Sequence, residues 1–186
     1  MSTQEETEPT GSEDPQITNY ESAGNLEATA PLACIPATEV ENTSSAADVA
    51  AGAKACADAG QYDQAVELIM LASAYAFYDT QRVADETAHP ALSAVFTEQF
   101  GSLPEAERSQ LFDNIDALDN DAARKGEICE YLRASEPPTY MPTYMIAHGM
   151  GALTGESQEP LVEDFDAAGS WEKALEFVNC DRPTTS

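Results

Sequence analysis

Apolar positions recur along this chain at three- and four-residue spacing, broken by glycine, proline and capping residues, and this pattern predicts short amphipathic helices. From Tyr62 the positions Ala65, Val66, Ile69, Leu71, Ala72, Tyr75 and Ala76 predict a helix to about Val83. Before it, Asn42-Thr43-Ser44-Ser45 precedes the alanine-rich run Ala46 to Ala59, which predicts a helix stopped by Gly60. The two together predict a helical hairpin.

Further on, Pro90 stands where a first helical residue would, and Leu92, Val95, Phe96 and Phe100 form a stripe ending at Gly101. Ser102 and Pro104 open another helix, with Leu111, Phe112, Ile115 and Leu118 as its buried face. Asp119-Asn120-Asp121 caps the next, which carries Ile128, Cys129, Tyr131 and Leu132 up to Pro137-Pro138. The tandem tetrapeptide Pro138-Thr139-Tyr140-Met141, Pro142-Thr143-Tyr144-Met145 predicts a short helix from Pro142 to about His148. Thr154 to Gly169 reads as an acidic loop, and Ser170 as the cap of a last helix through Trp171, Ala174, Leu175 and Val178. No segment alternates as a strand does. The fold class expected is all-α, a compact array of six or seven short helices.

Residues 1–42 hold nine acidic and no basic side chains among Ser, Thr, Pro, Gly and Gln. Such a segment buries too little apolar area to offset its chain entropy. The expected organisation is a disordered acidic tail over 1–42 and a helical domain over 43–182, with the more apolar Leu32 to Val40 able to dock.

Charge narrows the function classes. Thirty-four acidic residues against eight basic ones give a formal charge of −26. That surface repels phosphate backbones and anionic membranes, so nucleic acid is not an expected partner. A basic protein partner or a saline medium fits the field. Nowhere do 18 consecutive apolar residues occur, so no transmembrane segment is expected.

The four cysteines, Cys34, Cys56, Cys129 and Cys180, contain no CxxC pair. Of three possible pairings, Cys34 with Cys56 would pin the incoming tail to the first helix, and Cys129 with Cys180 would tie the last helix to the middle. Oxidised, they imply export to a periplasmic or secreted location with the leader absent from this chain. Four reduced thiols in a cytoplasmic protein are the alternative.

The hairpin from Val49 to about Phe77 resembles one tetratricopeptide or Sel1-like unit, in Ala53, Gly60, Tyr62, Ala65 and Ala72. It departs at Val49, where a larger aromatic is usual, and at Phe77, which replaces a closing proline; no second unit follows at the expected period. The resemblance implies protein interaction. Ala59 to Ile69 is also echoed by Ala168 to Val178, with four identical positions.

Tyr140, Tyr144 and His148 fall at i, i+4 and i+8, with Met141, Met145 and Met150 beside them. These six residues are the expected contact surface, and packing is preferred over a Cu(I) site for them. No metal and no cofactor are expected. Asp113, Asp116, Asp119 and Asp121 suggest calcium, but Ala123 and Arg124 stand where an EF-hand loop needs an oxygen ligand and a glycine. Gly149, Gly151 and Gly155 lack the preceding strand and the nearby cation of a phosphate loop, since Ala134 to Glu172 contains no Lys or Arg. The expectation is a non-catalytic, protein-binding helical domain on an acidic tether, of the inhibitor or immunity kind. The alternative is a hydrolase or metal-dependent enzyme centred on His148.

Overall fold

A computed structural model describes residues 22–155 and 159–180 of the chain. Its architecture follows from where helices can start and stop. Ser45 opens α1 (Ala46–Asp58) with a reciprocal capping box: its side chain accepts from the Asp48 amide, and the Asp48 carboxylate accepts from the Ser45 amide. Gly60, at φ 72°, turns the chain into α2 (Tyr62–Arg82), a backbone conformation that costs glycine least. There follow α3 (Ala91–Phe100), α4 (Glu105–Asn120), α5 (Ala122–Ala134), α6 (Thr143–Ile146), α7 (Met150–Thr154) and α8 (Ala167–Phe177).

The fold is all-α. Eight α-helices occur among the described residues, one more than the upper expectation, because α7 forms between the short helix expected to about His148 and the loop expected from Thr154. The described residues contain no strand, only an isolated antiparallel bridge between Val83 and Leu161. Pro90 is the N-cap of α3 rather than its first residue. The cap of α8 is also corrected: Asp166, not Ser170, accepts the Gly169 amide, and Ser170 lies buried inside the helix. Gly169 therefore sits in the first turn of α8, whereas Gly60 ends a helix, so the two echoed segments play different structural parts.

α2 is the hub, packed against α1, α4 and α8. Ala50, Ala53 and Ala57 of α1 and Ala65 and Ala72 of α2 are buried, so small side chains line the closest helix pair. Toward its C-terminus α2 is buried nearly all round, at Ala74, Tyr75, Ala76, Tyr78, Asp79 and Arg82, as befits a helix enclosed by neighbours. Trp171 of α8 lies edge-on to Tyr78 at 5.9 Å, and Phe177 stacks on Phe77 at 4.6 Å.

Of the tail expected over 1–42, residues 22–42 are among those described. Residues 22–42 are laid against the helices: Ala37 and Val40 are buried, and Leu26 and Leu32 pack on the core. Asp48 splices this segment to the α1 cap by accepting the Ala30 amide at 2.7 Å, while its carbonyl accepts from the Leu32 amide. The Tyr131 hydroxyl donates to the Val40 carbonyl. The apolar residues that make docking favourable are those of Leu32 to Val40; the remaining part of the expected tail, 1–21, and the expected domain end at 181–182 lie outside the described residues.

Cys34 pairs with Cys56 and Cys129 with Cys180, the pairing expected. The first bridge fastens the incoming segment to α1, and the second fastens the chain after α8 to α5. By loop entropy they stabilise the fold by about 3 and about 4 kcal/mol.

Candidate functional site

The tandem tetrapeptide does not form the single helical stripe that its spacing suggested. α6 is only four residues long, so Tyr140 precedes it and His148 follows it. Tyr144 and Met145 are core residues, Tyr140 and His148 are half-buried, and only Met141 and Met150 are exposed. The six residues therefore do not share one open face.

What draws the two tyrosines inward is Asp79, which has no exposed surface. The Tyr140 hydroxyl donates to Asp79 Oδ2 at 2.7 Å and the Tyr144 hydroxyl donates to the same oxygen at 2.8 Å. Arg82 donates to Oδ1 through Nε at 2.9 Å and Nη2 at 2.7 Å. The guanidinium lies between two rings, 5.0 Å from the centroid of Tyr78 and 4.9 Å from that of Tyr140. Burial pushes the Asp79 carboxyl above its ordinary range, and Arg82 and the two hydroxyls offset that rise only in part. Four donors and no acceptor face it, the arrangement of an ionised carboxylate. Burial, together with Asp79, raises both tyrosine hydroxyls well above their ordinary range, so they remain donors. This is a sealed structural bracket joining α2 to α6 and to the chain just ahead of it.

His148 has a similar task at the periphery. Its Nδ1 lies 2.9 Å from Asn25 Oδ1, and the Leu26 amide donates to the Tyr144 carbonyl, so the α6 region grips the N-terminal segment. None of the hydrogen bonds of His148 and Asn25 among the described residues involves a carboxylate or a nucleophilic side chain. Among the described residues no group of three or more His, Cys, Asp or Glu is placed to hold a metal.

On the outer side of this region lies a cleft of about 610 Å³ between the turn at residues 83–88 and the turn into α7. Val83, Ile146 and Met150 supply apolar wall, and Asp85, Glu86 and Glu159 supply acid. Its walls are fastened together. Asp85 Oδ1 accepts from the Thr87 amide at 2.9 Å and from its hydroxyl at 2.5 Å, while Oδ2 accepts from the Gly151 amide at 2.9 Å. Thr87 Oγ1 in turn accepts the Met150 amide at 2.8 Å. The third side is tied by Ala84 donating to the Pro160 carbonyl and Val162 donating to the Arg82 carbonyl.

The Thr87 side chain and the Gly151 amide hold the Asp85 carboxyl below its ordinary range, so it is an anion. Gly149 makes the approach possible, since a Cβ there would stand 2.4 Å from Asp85 Oδ2. Gly155, at φ 69°, ends α7. Two of the three glycines, Gly149 and Gly151, thus lie against a carboxylate, which disfavours a bound phosphate. A second, smaller groove of about 220 Å³ lies among α2, α4 and the end of α8, lined by Met70, Ile115 and Val178.

Sequence reasoning placed Met150 in the site but missed Asp85, Glu86, Thr87 and Glu159. An aspartate two residues ahead of a threonine between two predicted helices carries a local capping signal; the partners of that aspartate in α7 carry none. No protein-family model matches the chain, and no curated protein and no solved structure matches it.

Proposed function

We propose that this chain is an exported protein-binding domain that receives its partner at the cleft between the 83–88 turn and α7. The observation that carries the reading is the cross-bracing of that cleft: Asp85 and Thr87 together bond three α7-side and turn amides, so the walls are set before any ligand arrives. A preformed cleft avoids ordering costs on association. Met150, 55% exposed, stands at its lip as an apolar contact. Two disulfides are compatible with an oxidising compartment, and no described helix is long and apolar enough to cross a membrane. The tetratricopeptide-like hairpin supports the reading by resemblance, with α1 and α2 as the rigid frame behind the site.

A photo-crosslinking amino acid at position 150, compared with one at Phe112 on α4, tests this in the native host. Phe112 is 58% exposed and lies outside the cleft. One discrete adduct from position 150 and none from 112 is expected. Equal adducts, or none, overturn the reading.

A further inference from the structure

The cleft's charge is left standing while six of the seven Lys and Arg among the described residues are engaged elsewhere and the seventh, Lys173, is exposed on α8. Arg82 is sealed against Asp79. Arg124 joins α5 to α2 through Asp63 and Glu67. Lys125 takes Asp119, Lys54 takes Asp58, and Arg108 and Arg133 donate to main-chain carbonyls at Leu103 and Cys180. The cleft is drawn from two stretches, 83–107 and 134–172, that contain no Lys or Arg. Among the described residues no ion pair engages Asp85, Glu86 or Glu159. The field of His89 reaches Asp85, and its Nε2 faces the Val83 carbonyl at 3.0 Å.

Resting on the reading above, we propose that the cleft takes a short segment of a partner protein carrying an arginine or lysine flanked by apolar residues. The chemistry is complementary on both counts. Long basic side chains bring an apolar stem that suits Val83, Ile146 and Met150, and a charged head that suits the rim. Guanidinium binds carboxylates through paired hydrogen bonds, for which Glu86 and Glu159, engaged by no ion pair, are the acceptors, while Asp85, which already accepts three hydrogen bonds, adds its fixed charge. A space of about 610 Å³ is larger than one side chain fills, leaving room for apolar neighbours. Anionic ligands meet three carboxylates here, and a neutral apolar one leaves those carboxylates desolvated without a partner.

The general field of the protein attracts any cation, so the test separates the cleft from the field. Fluorescence anisotropy at 150 mM NaCl follows a labelled acetyl-Gly-Leu-Arg-Leu-Gly peptide against the same peptide with citrulline, which keeps the shape and removes the charge. Three proteins are compared: the unaltered chain, Glu86→Gln with Glu159→Gln, and Glu172→Gln with Glu176→Gln on the exposed face of α8. The cleft pair is expected to weaken the arginine peptide about tenfold or more and the α8 pair less than about twofold. Citrulline is expected to cost the unaltered chain about tenfold.

Equal losses in both variants, equal binding of the citrulline peptide, or no binding at millimolar peptide each overturn the proposal. Those results leave the crosslinking outcome at position 150 untouched, so a failed ligand class and a failed binding site are told apart.

Discussion

Asp79 and Asp85 stand six residues apart and show the two uses this chain makes of a carboxylate. Asp79 is sealed at the end of α2, met by four donors, with its charge cancelled by Arg82. Asp85 accepts three hydrogen bonds, two of them from main-chain amides, and keeps its charge at the edge of a cleft. The first carboxylate spends its field on holding the fold together; the second leaves its field for something outside the molecule. Geometry alone makes the difference, since the arginine that could neutralise either one is committed to the inner site.

The comparison breaks most violently at Asp79. Asp79→Ala leaves the Arg82 guanidinium buried without its counter-ion and strands two tyrosine hydroxyls, and should cost about 3–5 kcal/mol of unfolding free energy in urea. Tyr144→Phe keeps the ring and removes one donor to the carboxylate, for an expected loss of about 1.5–3 kcal/mol. If Tyr144→Phe were neutral, the bracket would not be the device that turns the tetrapeptide inward. Gly149→Ala attacks the outer site in a different way. The new methyl group meets Asp85 Oδ2, so the carboxylate must swing off the Gly151 amide, at a cost of about 1–3 kcal/mol. Its signature is a chemical-shift change confined to Asp85, Thr87 and Gly151.

The same pair marks what could be read from the sequence. Helices α1 to α5 were legible because their starts and stops are local: Ser45 and Asp48 cap α1, and Gly60 and Gly101 end helices. Of the three possible cysteine pairings, the one that ties the incoming segment to α1 and the chain end to α5 is present. α7 was not legible, since Gly149-Met150-Gly151 has no helix signal of its own and the groups that hold its first amides, Thr87 and Asp85, lie 63 and 66 residues earlier. Tyr140 and Tyr144 were read as surface for the same reason: their acceptor is Asp79, 61 and 65 residues before them. Leu32 to Val40 is legible as a stretch able to dock, but residues 22–31 are not, because the Ala30 amide finds an acceptor on Asp48 that composition does not reveal. In each case a polar side chain, not an apolar stripe, makes the long-range contact, and periodicity is blind to it.

The smallest expected effect sharpens the contrast through pH. Asp85→Asn weakens the cap over residues 86–88 and the bridge to Gly151, for an expected loss of about 1 kcal/mol at neutral pH. The Asp85 carboxyl is depressed in the folded protein, chiefly by the Thr87 hydroxyl and the Gly151 amide. A depressed carboxyl contributes stability that is present above its unfolded pKa of about 3.9 and is lost as the pH falls through the folded value. The difference between the unaltered chain and Asp85→Asn should therefore hold from pH 7 to pH 5 and close only below about pH 4. Exchange protection of the Thr87 and Gly151 amides reads the same event residue by residue. If their protection is lost between pH 6 and pH 5, Asp85 is not the anion that holds the cleft, and the likeness of its rim to a poised cation seat fails with it.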